Sequence, residues 1–265
     1  MARPLENKRA LVTGGSLGIG KAIAEVFLAQ GASVTITGRD QDRLDTAVEA
    51  LKPHGRITAV VADHETAAGA TTVIEAVSAA GELDILVNNV GYFEQKSFAD
   101  ATDSDWTRMF ELNVMSGVRL ARSILPQMLV RNSGRIIFIA SEQSVRPALG
   151  MTHYAMSKTA QIVIARGLAE MTKGTRVTVN SVMPGPTWTE GVAVFIADMA
   201  KQRGIAVDEM KRLFFAEGDW SSSLIARFLE PKEPAAVVAF LASDAASSVN
   251  GAAYRAEGGV TRSLF

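Results

Sequence analysis

The chain of 265 residues has no cysteine. Disulfides and thiolate metal sites are therefore excluded, and a reducing, cytoplasmic compartment is the expectation. Histidine is almost as scarce: His54, His64 and His153 are scattered without metal-ligand spacing. Neither sign of charge is in excess, since 27 basic residues stand against 28 acidic ones. That balance gives no electrostatic reason to expect nucleic acid or an anionic membrane as partner. No run reaches the roughly 18 apolar residues of a membrane span, and Met1 to Arg9 lacks the apolar stretch of a signal peptide. No linker, low-complexity tract or repeat interrupts the strand–helix alternation. With 48% of its residues hydrophobic, the chain reads as one α/β domain over 1–265.

What is present begins with a glycine turn. The strand-like run Ala10 to Thr13 meets Gly14-Gly15-Ser16-Leu17-Gly18-Ile19-Gly20, and a helical pattern follows from Lys21. Strand, glycine turn and helix together aim free backbone N–H groups and a helix dipole at a phosphate. The same stretch, Gly15 to Lys21, fits the first seven positions of a P-loop. Ala22 follows, however, and supplies no hydroxyl for Mg²⁺, which ranks a phosphotransferase below a dinucleotide binder. The spacing also departs from GxGxxG.

Later strand ends refine that site. Ser33 to Thr37 is the second strand, followed by Gly38-Arg39-Asp40. An arginine there can hold the 2′-phosphate of NADP, whereas an acid would bind the free ribose of NAD. Arg39 favours NADP(H), with NAD(H) the alternative, since Asp40 is either the ribose acid or the cap of helix 41–51. Asp63, at the third strand end, can accept from an adenine amino group or cap helix 65–80. Asn88-Asn89-Val90-Gly91 follows the fourth strand, Leu83 to Val87; its amides can bind cofactor or tie strands together.

The candidate chemistry lies further on. Helix 105–131 contains Asn113; strand 135–140 ends at Ser141; and loop 142–150 leads into Tyr154-Ala155-Met156-Ser157-Lys158. On a helix, Tyr154 and Lys158 share one face. An ammonium roughly 4 Å from the phenol, at an effective dielectric near 20, is worth about 4 kcal/mol, or about three pKa units. That would bring the phenol near pH 7, where acid–base catalysis is efficient. A bare YxxxK is by itself more often a helix surface, so its partners decide.

Those partners are specific as a set. Thr13-Gly14-x-x-x-Gly18-Ile19-Gly20, Asn88-Asn89-Val90-Gly91, Asn113, Ser141, Tyr154-x-x-x-Lys158 and Pro184-Gly185 occur in order. The chain resembles the compact branch of the short-chain dehydrogenase/reductase family over essentially its whole length. The resemblance implies a Rossmann-type doubly wound parallel sheet of about seven strands with helices on both faces. It implies NAD(P)-dependent hydride transfer to or from a carbonyl or secondary alcohol. It implies Tyr154 as general acid/base, Ser141 holding the substrate oxygen, Lys158 binding the nicotinamide ribose, and Asn113 holding a water of the proton relay. For the cofactor it implies Gly14, Ser16, Leu17, Gly18, Ile19 and Gly20 at the phosphates, Arg39 at the 2′-phosphate, and Asp63 at the adenine. Asn89 and Gly91 would lie near the adenosine ribose and pocket floor, with Pro184, Gly185, Thr187 and Thr189 near the carboxamide. Val90 for the usual alanine, Glu257 for the usual aspartate and the bulky Trp188 are departures. A non-catalytic dinucleotide sensor would be expected to lose part of Ser141/Tyr154/Lys158, and all three are present.

Between about 187 and 230 the strand–helix rhythm lapses. Two helical pieces, 190–203 and 207–216, suit a substrate lid. Trp188, Phe195, Phe214, Phe215, Trp220 and Phe228 concentrate there, either as an apolar substrate pocket or as the lid's own anchor. Helices 105–131 and 154–173 carry apolar residues around much of their circumference, which suggests a second burial partner. The family resemblance implies a homotetramer built through them.

Overall fold

The computed structural model describes residues 3–264. Seven parallel strands form one sheet: β1 (Arg9–Thr13), β2 (Ser33–Gly38), β3 (Ile57–Val61), β4 (Ile85–Asn88), β5 (Gly134–Ile139), β6 (Val177–Pro184) and β7 (Ala253–Ala256), in the order β3-β2-β1-β4-β5-β6-β7. Every pairing is parallel, so each strand must be reached by a crossover, and the helices supply the crossovers. The order reverses between β1 and β4, which opens a crevice beyond their carboxyl ends, where ligands of such sheets bind.

The strands alternate faces with period two, and that alternation divides the core. Ala10, Val12, Ile85, Val87, Ile137 and Ile139 face one apolar layer, shared with α1 (Gly18–Ala29), α2 (Gln41–Leu51) and α9 (Lys232–Ala242). Leu11, Leu86, Ile136 and Phe138 face the other, shared with α3 (Ala67–Ala79), α5 (Ser116–Val130) and α6 (Thr152–Glu170). Burying side chains such as Phe27 and Phe138, both inaccessible to solvent, contributes about 1.5–3 kcal/mol each. The two layers clamp the sheet and fix where its strand ends point.

The expected helix 105–131 is corrected. It begins earlier, as α4 (Asp103–Phe110), behind a reciprocal cap between Thr102 and Asp105, then widens into a π-turn over Glu111–Met115 and continues as α5. The π-turn carries Asn113, fully buried. Its side-chain amide donates to the Tyr92 carbonyl (2.9 Å) and to Ser157 Oγ (2.9 Å), while Oδ1 accepts from the Tyr92 N–H (2.7 Å). A π-turn of this kind breaks the ordinary ladder and frees a backbone carbonyl. Here the Asn113 carbonyl accepts from Gln161 Nε2 at 2.6 Å.

The two helical pieces expected over 190–203 and 207–216 are α7 (Glu190–Arg203) and α8 (Val207–Ala216). They build a third apolar cluster from Ile196, Ala200, Met210, Phe214 and Phe215, packed with Trp188, Phe195, Trp220 and Phe228. Among the described residues no helix is long and apolar enough to cross a membrane.

Candidate active site

At the carboxyl ends of the strands a cleft of ≈ 490 Å³ runs from Arg39 to Trp220, a volume suited to a cofactor and a small substrate. Of the expected residues, Gly14, Leu17, Gly18, Ile19, Gly20, Arg39, Asp63, Asn89, Gly91, Ser141, Tyr154, Lys158, Pro184, Gly185, Thr187 and Thr189 line it. Ser16 and Asn113 do not; Asn113 lies behind Gly91 in the core. Lys21 does not line the cleft either, as the lysine of a phosphate-cradling P-loop would.

One end is made of backbone. Gly14 and Gly18 adopt φ of +64° and +55°, a region that disfavours side chains. A Cβ on Gly20 would sit 2.2 Å from the Gly14 carbonyl and 2.4 Å from Asn89 Nδ2. The helix α1 starts at Gly18, so its unpaired N–H groups face the cleft. Asn89 ties this turn to the sheet, donating from Nδ2 to the carbonyls of Thr13 (2.8 Å) and Gly14 (3.2 Å). Its amide is thus engaged in structure. The Gly18 N–H donates to Oε2 of Glu190 (3.0 Å), the first residue of the helix over Glu190–Arg203, which stands at the glycine turn.

Asp40 caps α2, its Oδ1 accepting from the Arg43 N–H (3.1 Å) and its Oδ2 facing Arg43 Nε (3.4 Å). Arg39 is exposed at the rim and makes no ion pair among the described residues. Asp63 accepts from the Glu65 N–H (3.0 Å) while Thr66, not Asp63, is the N-cap of α3. Beside it His64 is buried against Thr37 Oγ1 (2.6 Å), and burial pulls its pKa down to about 4 against the opposing charge of Asp63. The glycine cradle, the free N–H groups and the unpaired Arg39 fit a phosphorylated dinucleotide.

The other end is made of side chains. Ser141 lies just past β5 and caps a short turn over Glu142–Ser144 by accepting from the Gln143 N–H (3.2 Å). Its hydroxyl donates to Glu142 Oε2 (2.6 Å), while Glu142 Oε1 accepts from Gln143 Nε2 (3.2 Å) and from Trp220 Nε1 (3.1 Å). Tyr154 returns on α6, with its ring edge-on to Phe93 at 6.3 Å between centroids. Lys158 Nζ donates to the Ile139 carbonyl (2.8 Å) and to Gln161 Oε1 (3.2 Å). Gln161 therefore bridges Lys158 to the carbonyl of Asn113, the place where a relay water was expected.

The expectation of a phenol lowered by Lys158 is corrected. The ammonium stands 5.8 Å from the Tyr154 ring centroid, held by Ile139 and Gln161. Burial pushes the Tyr154 phenol well above its ordinary range, the Glu142 charge adds to that, and only the Ser141 hydroxyl opposes it. Burial takes Lys158 down to about 7, with Glu142 acting against the fall. The simple pairwise estimate omitted desolvation, which is the larger effect here.

Comparison with known proteins then decides the family. The model of the short chain dehydrogenase family matches residues 8–200. The chain belongs to the short-chain dehydrogenase/reductase family. It is 50% identical over 260 residues to the uncharacterized oxidoreductase YvrD of Bacillus subtilis (strain 168), with 98% of each chain covered. It is 32% identical over 256 residues to the 3-oxoacyl-[acyl-carrier-protein] reductase FabG of Salmonella typhimurium, covering 96% of this chain and 98% of that one. Among solved structures, L-sorbose reductase from Gluconobacter frateurii, complexed with NADPH and L-sorbose, superposes with a TM-score of 0.93 at 34% identity and full coverage of both chains. Membership makes this short-chain dehydrogenase/reductase an NAD(P)-dependent oxidoreductase.

Three residues of the site escaped sequence reasoning. Glu142 had a signal: a charged residue directly after Ser141 at the end of a buried strand. Gln161 had a weaker one, three positions after Lys158 and so on the same face of α6. Glu190 had none, since its partner Gly18 is 172 positions away.

Proposed function

We propose that the protein is an NADP(H)-dependent carbonyl reductase in which Tyr154 gives its phenolic proton to the substrate oxygen. The observation that carries this reading is the convergence of Ser141, Tyr154 and Lys158 in the cleft that begins at the glycine turn and the unpaired Arg39. The bound dinucleotide supplies the hydride, which goes to the carbonyl carbon. Arg39 would hold the 2′-phosphate, and the N–H groups at the start of α1, with Gly18 now bonded to Glu190, would hold the pyrophosphate. Lys158, fixed between Ile139 and Gln161, would hold the nicotinamide ribose. Ser141 orients the substrate oxygen toward Tyr154.

Burial favours the protonated Tyr154 phenol, which can act as an acid toward a developing alkoxide; the same group serves as the base in the reverse reaction. Likeness to a reductase crystallised with L-sorbose makes ketoses the first substrates to try. Self-association through α4–α5 and α6 belongs to the same reading, because Val163 on α6 and Met171 at its C-cap lie 66% and 60% exposed.

The test is a fluorescence titration with NADPH and NADH, followed by NADPH consumption on a panel of carbonyl compounds. Tighter binding of NADPH and turnover of at least one ketone are expected. Tighter binding of NADH would remove the Arg39 argument, and no turnover of any carbonyl would remove the reductase reading.

A further inference from the structure

Glu142 is the least expected group in the cleft. It is only 5% exposed, yet it lines the cavity beside Ser141 and Tyr154. Three neutral donors reach it: Ser141 Oγ on Oε2, with Gln143 Nε2 and Trp220 Nε1 on Oε1. It has no salt-bridge partner among the described residues; Lys158, whose titration it influences, points instead to Ile139 and Gln161. A buried carboxylate without a paired cation is costly. An anchor for the Trp220 indole needs one acceptor oxygen, which a neutral glutamine would supply without that cost. A carboxylate accepts at about four positions, and Oε2 carries one donor, so capacity remains on the oxygen next to Ser141.

The charges elsewhere in the cleft narrow what can fill it. Arg39 lies at the end of β2, and Arg108 stacks on Tyr92 (4.6 Å) facing Glu65 (3.8 Å), beyond the Asp63–His64 corner. Two further carboxylates line the cleft, Asp63 at the end of β3 and Glu190 at the glycine turn. Among the described residues the cation lining the Ser141 end is Lys158, whose Nζ is held by the Ile139 carbonyl and Gln161 Oε1 and which stands against a cationic substrate. The walls of that end are Phe93, Phe195, Trp220 and Phe228, with the amides of Gln95 and Gln143 between them. Aromatic faces and amides together suit the C–H and O–H sides of a carbohydrate-like chain.

We propose that Glu142 is a specificity-determining residue that accepts a hydrogen bond from a substrate hydroxyl beside the reacting carbonyl and excludes carboxylates, so that the substrate is an uncharged polyhydroxylated ketone or aldehyde. This deepens the reductase reading and rests on it. Ser141 then acts as the donor to the carbonyl oxygen, its one proton turning away from Glu142 Oε2, and the Oε2 so freed is the acceptor for the neighbouring hydroxyl. A substrate acid placed there meets a like charge in a desolvated pocket.

The test compares kcat/KM with NADPH for two pairs, hydroxyacetone against pyruvate and L-sorbose against 2-keto-L-gulonate, in the wild type and in Glu142→Gln. In each pair one member carries CH2OH where the other carries a carboxylate. The wild type is expected to prefer the uncharged member by at least about tenfold, and Glu142→Gln to narrow that preference at least about fivefold while keeping NADPH binding. A purely structural role for Glu142 would lower both members alike and leave the ratio unmoved, which overturns the proposal. A wild-type preference for the carboxylate, or turnover confined to apolar or amino ketones, overturns it without any variant. Absence of turnover with every carbonyl compound would instead remove the hydride-transfer reading beneath it.

Discussion

The two ends of the cleft are built by different means. At the glycine turn, backbone does the work: positive φ at Gly14 and Gly18, a Gly20 that admits no Cβ, and unpaired N–H groups at the start of α1. At the Ser141 end, side chains from β5, α6, the π-turn and the lid converge, and each depends on its neighbours: Ser141 on Glu142, Glu142 on Trp220, Lys158 on Gln161, Gln161 on Asn113. Binding geometry at the first end is local in sequence and tolerant of distant change. The chemistry at the second end is a network, in which one altered side chain shifts several others.

That contrast can be broken first at Gly20. Gly20→Ala places a methyl group where the Gly14 carbonyl and Asn89 amide already stand, and overpacking of this kind forces the turn to move. Dinucleotide affinity measured by fluorescence should fall about hundredfold, with activity on any substrate falling alike. Stability should respond to acid at the same end. His64 has a folded pKa of about 4 against 6.5 for an exposed histidine, so between those values the unfolded chain binds a proton that the folded one does not. Its contribution is fully present above pH 6.5 and is lost as pH falls toward 4, by about 3 kcal/mol. Denaturant titrations of wild type and His64→Gln across that window should show the slope in the first and a shallower one in the second.

How much of this was legible in the sequence follows the same division. The first five strands, the helices over 190–203 and 207–216 and the glycine turn follow local patterns, and the structure shows them; the count of about seven strands came from the family resemblance. The π-turn was not legible, because a run such as Phe110-Glu111-Leu112-Asn113-Val114-Met115 has helical periodicity, and only the tertiary pull of Tyr92, Ser157 and Gln161 on Asn113 selects the wider turn. The titration of Tyr154 was not legible either. Spacing put Lys158 on its face of the helix, but burial and the carboxylate of Glu142 override that proximity. The lid aromatics were read as pocket or as anchor; they form both, since Phe195, Phe214, Trp220 and Phe228 belong to the lid's apolar cluster and also line the cleft.

Smaller effects sharpen the comparison. Arg39→Ala should weaken NADPH by about 10–100-fold, the worth of a charge-assisted hydrogen bond, while NADH affinity stays within about twofold. An equal loss for both would show that Arg39 reads no 2′-phosphate. At the networked end, Gln161→Leu leaves Lys158 with the Ile139 carbonyl alone and frees the Asn113 carbonyl. The expected result is a fall in kcat of about tenfold with NADPH affinity kept, since the geometry but not the presence of the ammonium changes. An unchanged kcat would make Gln161 a packing residue.

Proton delivery by Tyr154 is tested most directly by single-turnover reduction of a ketone in Tyr154→Phe. The phenol lies behind Phe93 and keeps its ring packing in the variant. The account predicts NADPH bound as tightly as in the wild type and a hydride-transfer rate lower by about a thousandfold or more. Full turnover in Tyr154→Phe would contradict it.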